Sequence, residues 1–185
     1  MRALKASEVE VRIGTVGQKG VTLLLYKDAR TDMQVLDETF GSFNWQVDYK
    51  EIKGNLYCGV GIWDESKKQW IWKWDCGTES NTEKEKGEAS DAFKRACVRV
   101  SDNKDGGGIG RELYTSPFIF LPVATDPIGN NKYKLHNPRE LYGLYVSYLS
   151  VKLIDGVKTI ADLDIAQGGT VIWSTNKRKV GAKHE

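Results

Sequence analysis

One predicted helix carries the basic side chains that are best placed to bind an anionic ligand. Lys94, Arg95 and Arg99 lie off the apolar stripe of a helix predicted over Glu83–Val100. A row of cations on such a helix can follow a phosphate backbone without reading its sequence, and this binding weakens as salt rises. The alternative is a solvated helix face, on which Asp91 can pair with Arg95 one turn later.

Residue types that would support catalysis or metal binding are sparse. The histidines, His136 and His184, have no nucleophile or ligand partner in the sequence, and the acids are scattered among lysines. The run Gly106–Arg111 lacks both the Lys-Ser/Thr ending of a Walker A motif and GxGxxG spacing. We therefore predict a protein that is not an enzyme and that uses no cofactor and no metal.

The cysteines and the apolar runs indicate the compartment. Cys58, Cys76 and Cys97 are odd in number and form no CxxC pair, so we predict small buried side chains without disulfides or zinc. The first residues contain no apolar secretory segment, and the longest apolar runs are too short to cross a bilayer. These features predict a cytosolic protein with no membrane association.

Tryptophan is concentrated in one part of the chain. Five of the 6 tryptophans lie between residues 45 and 74, and Trp70, Trp72 and Trp74 share one face of a predicted strand. That face either packs against a helix or a neighbouring subunit, or stacks the bases of a single-stranded nucleic acid. The sequence leaves both interpretations open.

The elements that position these residues follow an α+β pattern. Val9–Ile13 alternates like a short strand, and the glycines up to Gly20 indicate turns. Thr31 or Asp32 is expected to cap a helix that ends at Gly41. Its predicted apolar face consists of Ala29, Met33, Leu36 and Phe40.

A meander and a second helix follow. Alternation from Phe43 to Asp75, with turns at Lys53–Asn55 and Asp64–Lys68, predicts a three-stranded antiparallel sheet. The helix after it has an apolar stripe that would pack against this sheet. The stripe consists of Ala89, Phe93, Ala96, Cys97 and Val100.

The last third of the chain is predicted to be rich in β-structure. The 4 prolines lie between residues 117 and 138, which indicates an irregular segment that buries Phe118–Leu121. Leu141–Leu153 and Val157–Ile165 are expected to form a hairpin, and Thr170–Ser174 a final strand. Residues 176–185 form a basic tail that is either solvated or bound to phosphate.

Four stretches follow one another along the chain: Arg12 with Gln18-Lys19, Tyr26 with Glu38–Gly41 and Asn44-Trp45, Tyr57–Gly61, and Glu88–Ala96. In this order they resemble the Rad-fifty-two-type single-strand annealing proteins, a family that includes many phage members. The likeness covers about residues 9–116, and the phage branch adds a Gly-Ile-Gly-Arg-x-Leu-Tyr element, present here at Gly108–Tyr114.

The resemblance implies an antiparallel β-β-β-α unit, in which the three-stranded meander packs on a long helix. It also implies that protomers close into a homo-oligomeric ring and hold single-stranded DNA by its phosphates, with the bases free to pair. The family's inner DNA site corresponds to Arg12, Lys94 and Arg95. Lys19 in the turn, Arg99 and Arg111 are further candidate DNA contacts.

On this basis we expect ATP-independent annealing of complementary strands in recombination and repair. The expected protein is phage-encoded and acts in the bacterial cytosol, and a phage exonuclease and the host single-strand-binding protein are candidate partners. Residues 1–185 would form a single domain, with a core at about 9–116, a β-rich extension at about 117–175 and the tail. The alternatives are a protein that coats single-stranded DNA without annealing it and a ring-forming phage structural protein.

Overall fold

The computed structural model describes residues 1–78, 84–101 and 106–183, apart from the side chains at 84–86 and 178. Within these residues the protein is mixed α+β, mostly antiparallel sheets with two α-helices. Neither of these helices is long and apolar enough to span a bilayer. His184 and Glu83, the predicted helix start, lie outside the described residues.

The chain divides into two compact units that each combine distant segments. Unit 1 contains Met1–Ala3, Asp28–Arg111 and Asp155–Lys158. Unit 2 contains Leu4–Lys27, Glu112–Ile154 and Thr159–Glu185. The helices are α1 (Ala29–Phe40) and α2 (Lys84–Arg99). The strands are β1 (Glu10–Gly17), β2 (Gly20–Tyr26), β3 (Trp45–Ile52), β4 (Asn55–Asp64), β5 (Gln69–Cys76), β6 (Ile119–Leu121), β7 (Thr125–Gly129), β8 (Lys132–Leu135), β9 (Tyr145–Ile154), β10 (Val157–Gln167) and β11 (Thr170–Ser174).

Unit 1 is built on the β3–β4–β5 sheet, and the predicted antiparallel meander is confirmed. The β3–β4 turn places Lys53 and Gly54 at φ 55° and 75°, the left-handed pair of a tight hairpin. Because strand side chains alternate between faces, Cys58 and Val60 of β4 point to one side and Gly59 and Gly61 to the other.

α2 covers the Cys58 side of this sheet and packs on β4 and β5. Phe93 lies 6.4 Å from the Trp45 ring of β3, measured between ring centroids. The predicted stripe is buried from Phe93 to Val100, but Ala89 is only half-buried, and Ala92 takes its place in the core.

α1 begins earlier than predicted and buries a different face. Its N-cap is Asp28, whose carboxylate accepts a hydrogen bond from the Arg30 amide, so neither Thr31 nor Asp32 is the cap. Gly41, at φ 82°, ends the helix as predicted. The buried residues are Asp32, Val35 and Leu36. Leu36 belongs to the predicted apolar face, whereas Met33 is exposed.

The glycine-rich run before Arg111 packs against the end of α2. A Cβ added to Gly108 would stand 1.9 Å from the Val98 carbonyl oxygen, so only glycine allows this approach. The next residue, Ile109, donates its amide hydrogen to the Cys97 carbonyl at 3.1 Å and is fully buried. These glycines therefore serve a close backbone contact in unit 1.

Unit 2 begins with a hairpin where glycine turns were predicted. β1 runs on through Gly14 to Gly17 and pairs with β2, with an irregularity in register between Ile13 and Val16. β6 joins the other edge of β2, which gives the order β1–β2–β6. The turn is confined to Gln18 and Lys19, so most of the glycines serve strand packing rather than chain reversal.

The proline-rich segment is more regular and more exposed than predicted. It contains β6 and a β7–β8 hairpin, which turns at Asn130 and Asn131 with φ of 49° and 56°. Ile119 and Leu121 are buried as expected, but Phe118 and Phe120 are exposed, because they lie on the opposite side of β6. The β9–β10–β11 sheet completes unit 2, and β11 has the predicted bounds.

The basic tail folds back on unit 2 over its described part. The Lys179 ammonium lies 3.1 Å from Asp164 and 3.5 Å from Asp162, and it stacks on the Tyr148 ring at 4.7 Å. The Val171 amide donates to the Ala182 carbonyl. The fully solvated tail is therefore wrong for Lys179, whose charge is engaged by carboxylates.

Candidate nucleic-acid interface

Arg95 and Arg99 share one carboxylate at the edge of the unit 1 sheet. Arg99 Nε donates to Asp75 Oδ2 at 2.7 Å, and Arg95 Nε lies 3.6 Å from Asp75 Oδ1. The two arginine side chains are 44% and 58% exposed, whereas that of Asp75 is only 15% exposed. The carboxylate therefore orients two guanidinium groups that still present a large part of their surface to solvent.

Asp75 stays ionised at neutral pH. Partial burial would raise its pKa, but the hydrogen bonds from Arg99 and from the Cys76 amide, together with both guanidinium charges, bring it below the ordinary value. The cluster consists of two cations and one anion, so it keeps one net positive charge. Asp91, the expected partner of Arg95, instead accepts hydrogen bonds from Thr78.

Lys94 leaves α2 in a different direction from the arginine pair. Its charge acts on Asp28, the N-cap of α1, and contributes the smallest of several effects that lower the pKa of Asp28 to about 2. The largest effect is the hydrogen bond from the Arg30 side chain. The cations of α2 thus spread from the start of α1 to the edge strand β5 and do not form a single line.

Arg12 belongs to unit 2, where it lies on the outer face of the β1–β2–β6 sheet. It is exposed, it pairs in register with Leu24, and its guanidinium stacks over the Tyr26 ring at 5.2 Å. Lys19 is exposed in the β1–β2 turn, and Arg111 is exposed beside the glycine-rich run of unit 1. The six predicted residues are therefore divided between the two units, with Lys94, Arg95, Arg99 and Arg111 in unit 1 and Arg12 and Lys19 in unit 2.

The tryptophans lie on the side of the unit 1 sheet that faces away from α2. We call the side chains of Trp63, Trp70, Trp72 and Trp74 the tryptophan face. Trp72 and Trp74 pack on each other, with 5.6 Å between ring centroids, and pair in register with Gly61 and Gly59. Their packing against α2, one of the interpretations above, is therefore wrong.

The tryptophan face has little net charge. Lys50 stands 4.4 Å above the Trp74 ring and pairs with Asp48 at 3.4 Å, so one cation and one anion neutralise each other. The thickness of the sheet separates this face from the cations of α2.

The remaining chemical groups of the described residues are held by structural partners. The described residues contain no group of three or more histidine, cysteine or acidic side chains placed to hold a metal. His136 Nδ1 lies 3.0 Å from Asp126 on the β7–β8 hairpin. Cys58 and Cys97 are buried as predicted, whereas Cys76 is half-buried, and all three are free thiols.

No protein-family model, curated protein or solved structure matches this chain. The residue roles therefore rest on the geometry described above. The sequence analysis missed two features of this geometry, the role of Asp75 and the exposure of Phe118. Asp75 lies on the same face of β5 as Ile71 and Lys73, which is the face covered by α2. The alternation of strand side chains alone would therefore have identified it as a partner for the α2 cations. The exposure of Phe118 has no comparable signal.

Proposed function

We propose that the protein binds single-stranded DNA by its phosphates and anneals complementary strands, as a homo-oligomer and without nucleotide hydrolysis. The observation that carries the proposal is the exposed arginine pair of α2, oriented by Asp75. Contacts from these cations to phosphates would leave the base edges free, as annealing requires. The resemblance to the single-strand annealing family supports the same function.

The finer architecture belongs to this proposal. In it, β3, β4, β5 and α2 form the β-β-β-α unit of the family, and protomers close into a ring. Phage origin, action in the bacterial cytosol in recombination and repair, and cooperation with an exonuclease or the host single-strand-binding protein follow from the same resemblance. Mass measurement of the purified protein with and without DNA tests the ring directly.

The primary test is the annealing of two labelled complementary oligonucleotides across a salt series, without ATP or metal. We expect the protein to accelerate annealing and the acceleration to fade as salt rises. Salt-dependent binding without acceleration would instead support the coating protein. Absence of DNA binding at low salt would refute the proposal.

The site is tested by replacing Lys94 and Arg95 together with alanine. Each lost contact lowers the salt slope of binding to single strands by about 0.7, so the pair should lower it by about 1.4 and weaken binding equally for all sequences. The matched control is Lys67→Ala with Lys68→Ala, which removes the same charge from the exposed β4–β5 turn of unit 1. An equal loss of DNA affinity in both variants would show that binding depends only on net charge, and it would exclude α2 as the site.

A further inference from the structure

The outer face of the β1–β2–β6 sheet combines one cation with protruding apolar side chains. We call this the Arg12 face; it carries Arg12, Leu24, Tyr26 and Phe120, together with Phe118 just before β6. The register pairs Arg12 with Leu24 and Thr22 with Phe120, so these positions share one side. The intervening residues Leu23, Ile119 and Leu121 are buried on the opposite side, which is the core of unit 2.

The apolar side chains of the Arg12 face are exposed to solvent. Phe118 is 77% exposed, Leu24 47% and Phe120 36%. The rings of the two phenylalanines are parallel to within 7°, with 6.4 Å between their centroids. Parallel rings offer π-faces in one orientation, as successive bases of a stacked single strand do.

The charges near this face favour a polyanion. Arg12 and the exposed Lys19 at the hairpin tip outnumber Glu10, the acid two positions before Arg12 on β1. On the tryptophan face, in contrast, Lys50 is paired with Asp48. Stacking surfaces beside a net positive charge are the combination used to hold single-stranded nucleic acids without sequence preference.

We propose that the Arg12 face binds the bases of single-stranded DNA, which stack on Phe118 and Phe120 while Arg12 holds a nearby phosphate. The proposal rests on the proposed function and extends it from phosphate binding to base binding. Arg12 and the phenylalanines lie two strand spacings apart, or about 10 Å, a span that neighbouring nucleotides can bridge. Stacking uses the flat faces of the bases and leaves their pairing edges available.

The test measures how a variant protein and the unaltered protein each bind two DNA probes, one with bases and one without. Phe118→Leu keeps most of the apolar area but removes the π-face, and the exposure of the side chain makes the substitution compatible with folding. The probes are an oligothymidylate and an abasic oligonucleotide of the same length. We expect Phe118→Leu to weaken binding of oligothymidylate by about 5- to 100-fold, the range for loss of one base stack, and to leave abasic binding unchanged.

A matched control and a mass measurement separate the outcomes. Phe43→Leu alters another exposed phenylalanine, in unit 1, and should leave both affinities unchanged. Oligothymidylate binding by Phe118→Leu equal to that of the unaltered protein would overturn the base-stacking proposal while leaving the proposed function intact. If Phe118→Leu weakened binding of both probes equally, or formed a smaller assembly than the unaltered protein, this face would be assigned to contact with a second copy of the chain, and the base-stacking proposal would be overturned. Failure of the unaltered protein to bind either probe would refute the proposed function itself.

Discussion

The two units each expose an aromatic face on a three-stranded antiparallel sheet, and the faces differ in how their side chains are held. On the tryptophan face the indoles lie against the sheet and are half-buried. On the Arg12 face Phe118 protrudes into solvent. The same strand alternation thus produces a packed surface in one unit and an accessible one in the other.

Glycine explains part of this difference. A Cβ at Gly59 would stand 2.6 Å from the Trp74 ring, and one at Gly14 would stand 2.8 Å from Leu24 Cγ. The indole is fixed by Trp72 on one side and Lys50 above it, whereas Leu24 is 47% exposed and has room to move. Glycine therefore allows close packing of a fixed Trp74 ring in unit 1, and in unit 2 it contacts a Leu24 side chain that has room to move.

The cations differ in the same way. On the tryptophan face Lys50 is neutralised by Asp48, and on the opposite side of that sheet Arg95 and Arg99 share Asp75. Arg12 instead rests on the Tyr26 ring, a contact that does not neutralise its charge. The comparison teaches that aromatic content alone does not identify a nucleic-acid surface; exposure and net charge must accompany it.

The largest expected effect comes from breaking the fitted packing in unit 1. Gly59→Ala should lower the free energy of unfolding by about 2 kcal/mol, because Trp74 must leave its position against the sheet. Gly14→Ala is the matched control in unit 2 and should cost less than half as much, since Leu24 can turn into solvent. Urea denaturation followed by circular dichroism measures both. Equal costs would show that the two faces are packed alike.

Alkaline pH should destabilise unit 1, where the Cys58 thiol is fully buried on the α2 side of the sheet. Burial raises the pKa of the Cys58 thiol from 9.0 to about 11, although a hydrogen bond from Tyr49 opposes the shift. The folded state therefore holds this proton more tightly than the unfolded chain. The contribution of this protonated thiol to the free energy of unfolding is complete below pH 9. It is lost as pH rises toward 11, which lowers the free energy of unfolding by roughly 1–2 kcal/mol.

The measurement is the thermal midpoint of unfolding between pH 8 and about 11. Cys58→Ala removes the titrating thiol and should flatten the decline, even though it lowers stability at every pH. A decline of the same steepness in this variant would assign the effect to other groups, with Tyr49 the first candidate because burial raises its pKa to about 12.

The smallest effect concerns the paired cations. Asp75→Asn removes the charge that Arg95 and Arg99 share, and the released guanidinium groups should bind single-stranded DNA about two- to fivefold more tightly at low salt. Asp48→Asn makes the same charge change on the opposite side of the sheet and is the control. Fluorescence anisotropy with one labelled oligonucleotide compares them. Equal gains would indicate a general charge effect and not a site on α2.

Local patterns predicted unit 1 better than unit 2. Alternation and the Lys53-Gly54 turn were enough to predict the meander, because each strand pairs with its neighbour in the chain. The glycines of β1 predict turns in the sequence. A glycine that makes room for a side chain, as Gly14 does for Leu24, looks the same in sequence as one that reverses the chain.

The candidate site was predictable only in its residue types. The basic positions on α2 follow from helical periodicity, but the division of the six candidates between two units depends on contacts between distant segments. The exposure of Phe118 is of the same kind, since burial of an apolar residue is a property of the complete fold. Apolar side chains contribute a large part of any protein surface, so residue type alone does not place them inside.

The uneven distribution of tryptophan gives each unit its own optical signal. Trp45 and the tryptophan face place five of the 6 indoles in unit 1, and Trp173 is the one in unit 2. Unit 2 instead holds most of the tyrosines, among them Tyr145 and Tyr148. Fluorescence excited selectively at indole therefore reports mainly on unit 1, and the close Trp72–Trp74 pair should add an exciton couplet to the circular dichroism spectrum. Energy transfer from tyrosine to Trp173 supplies the corresponding reporter for unit 2.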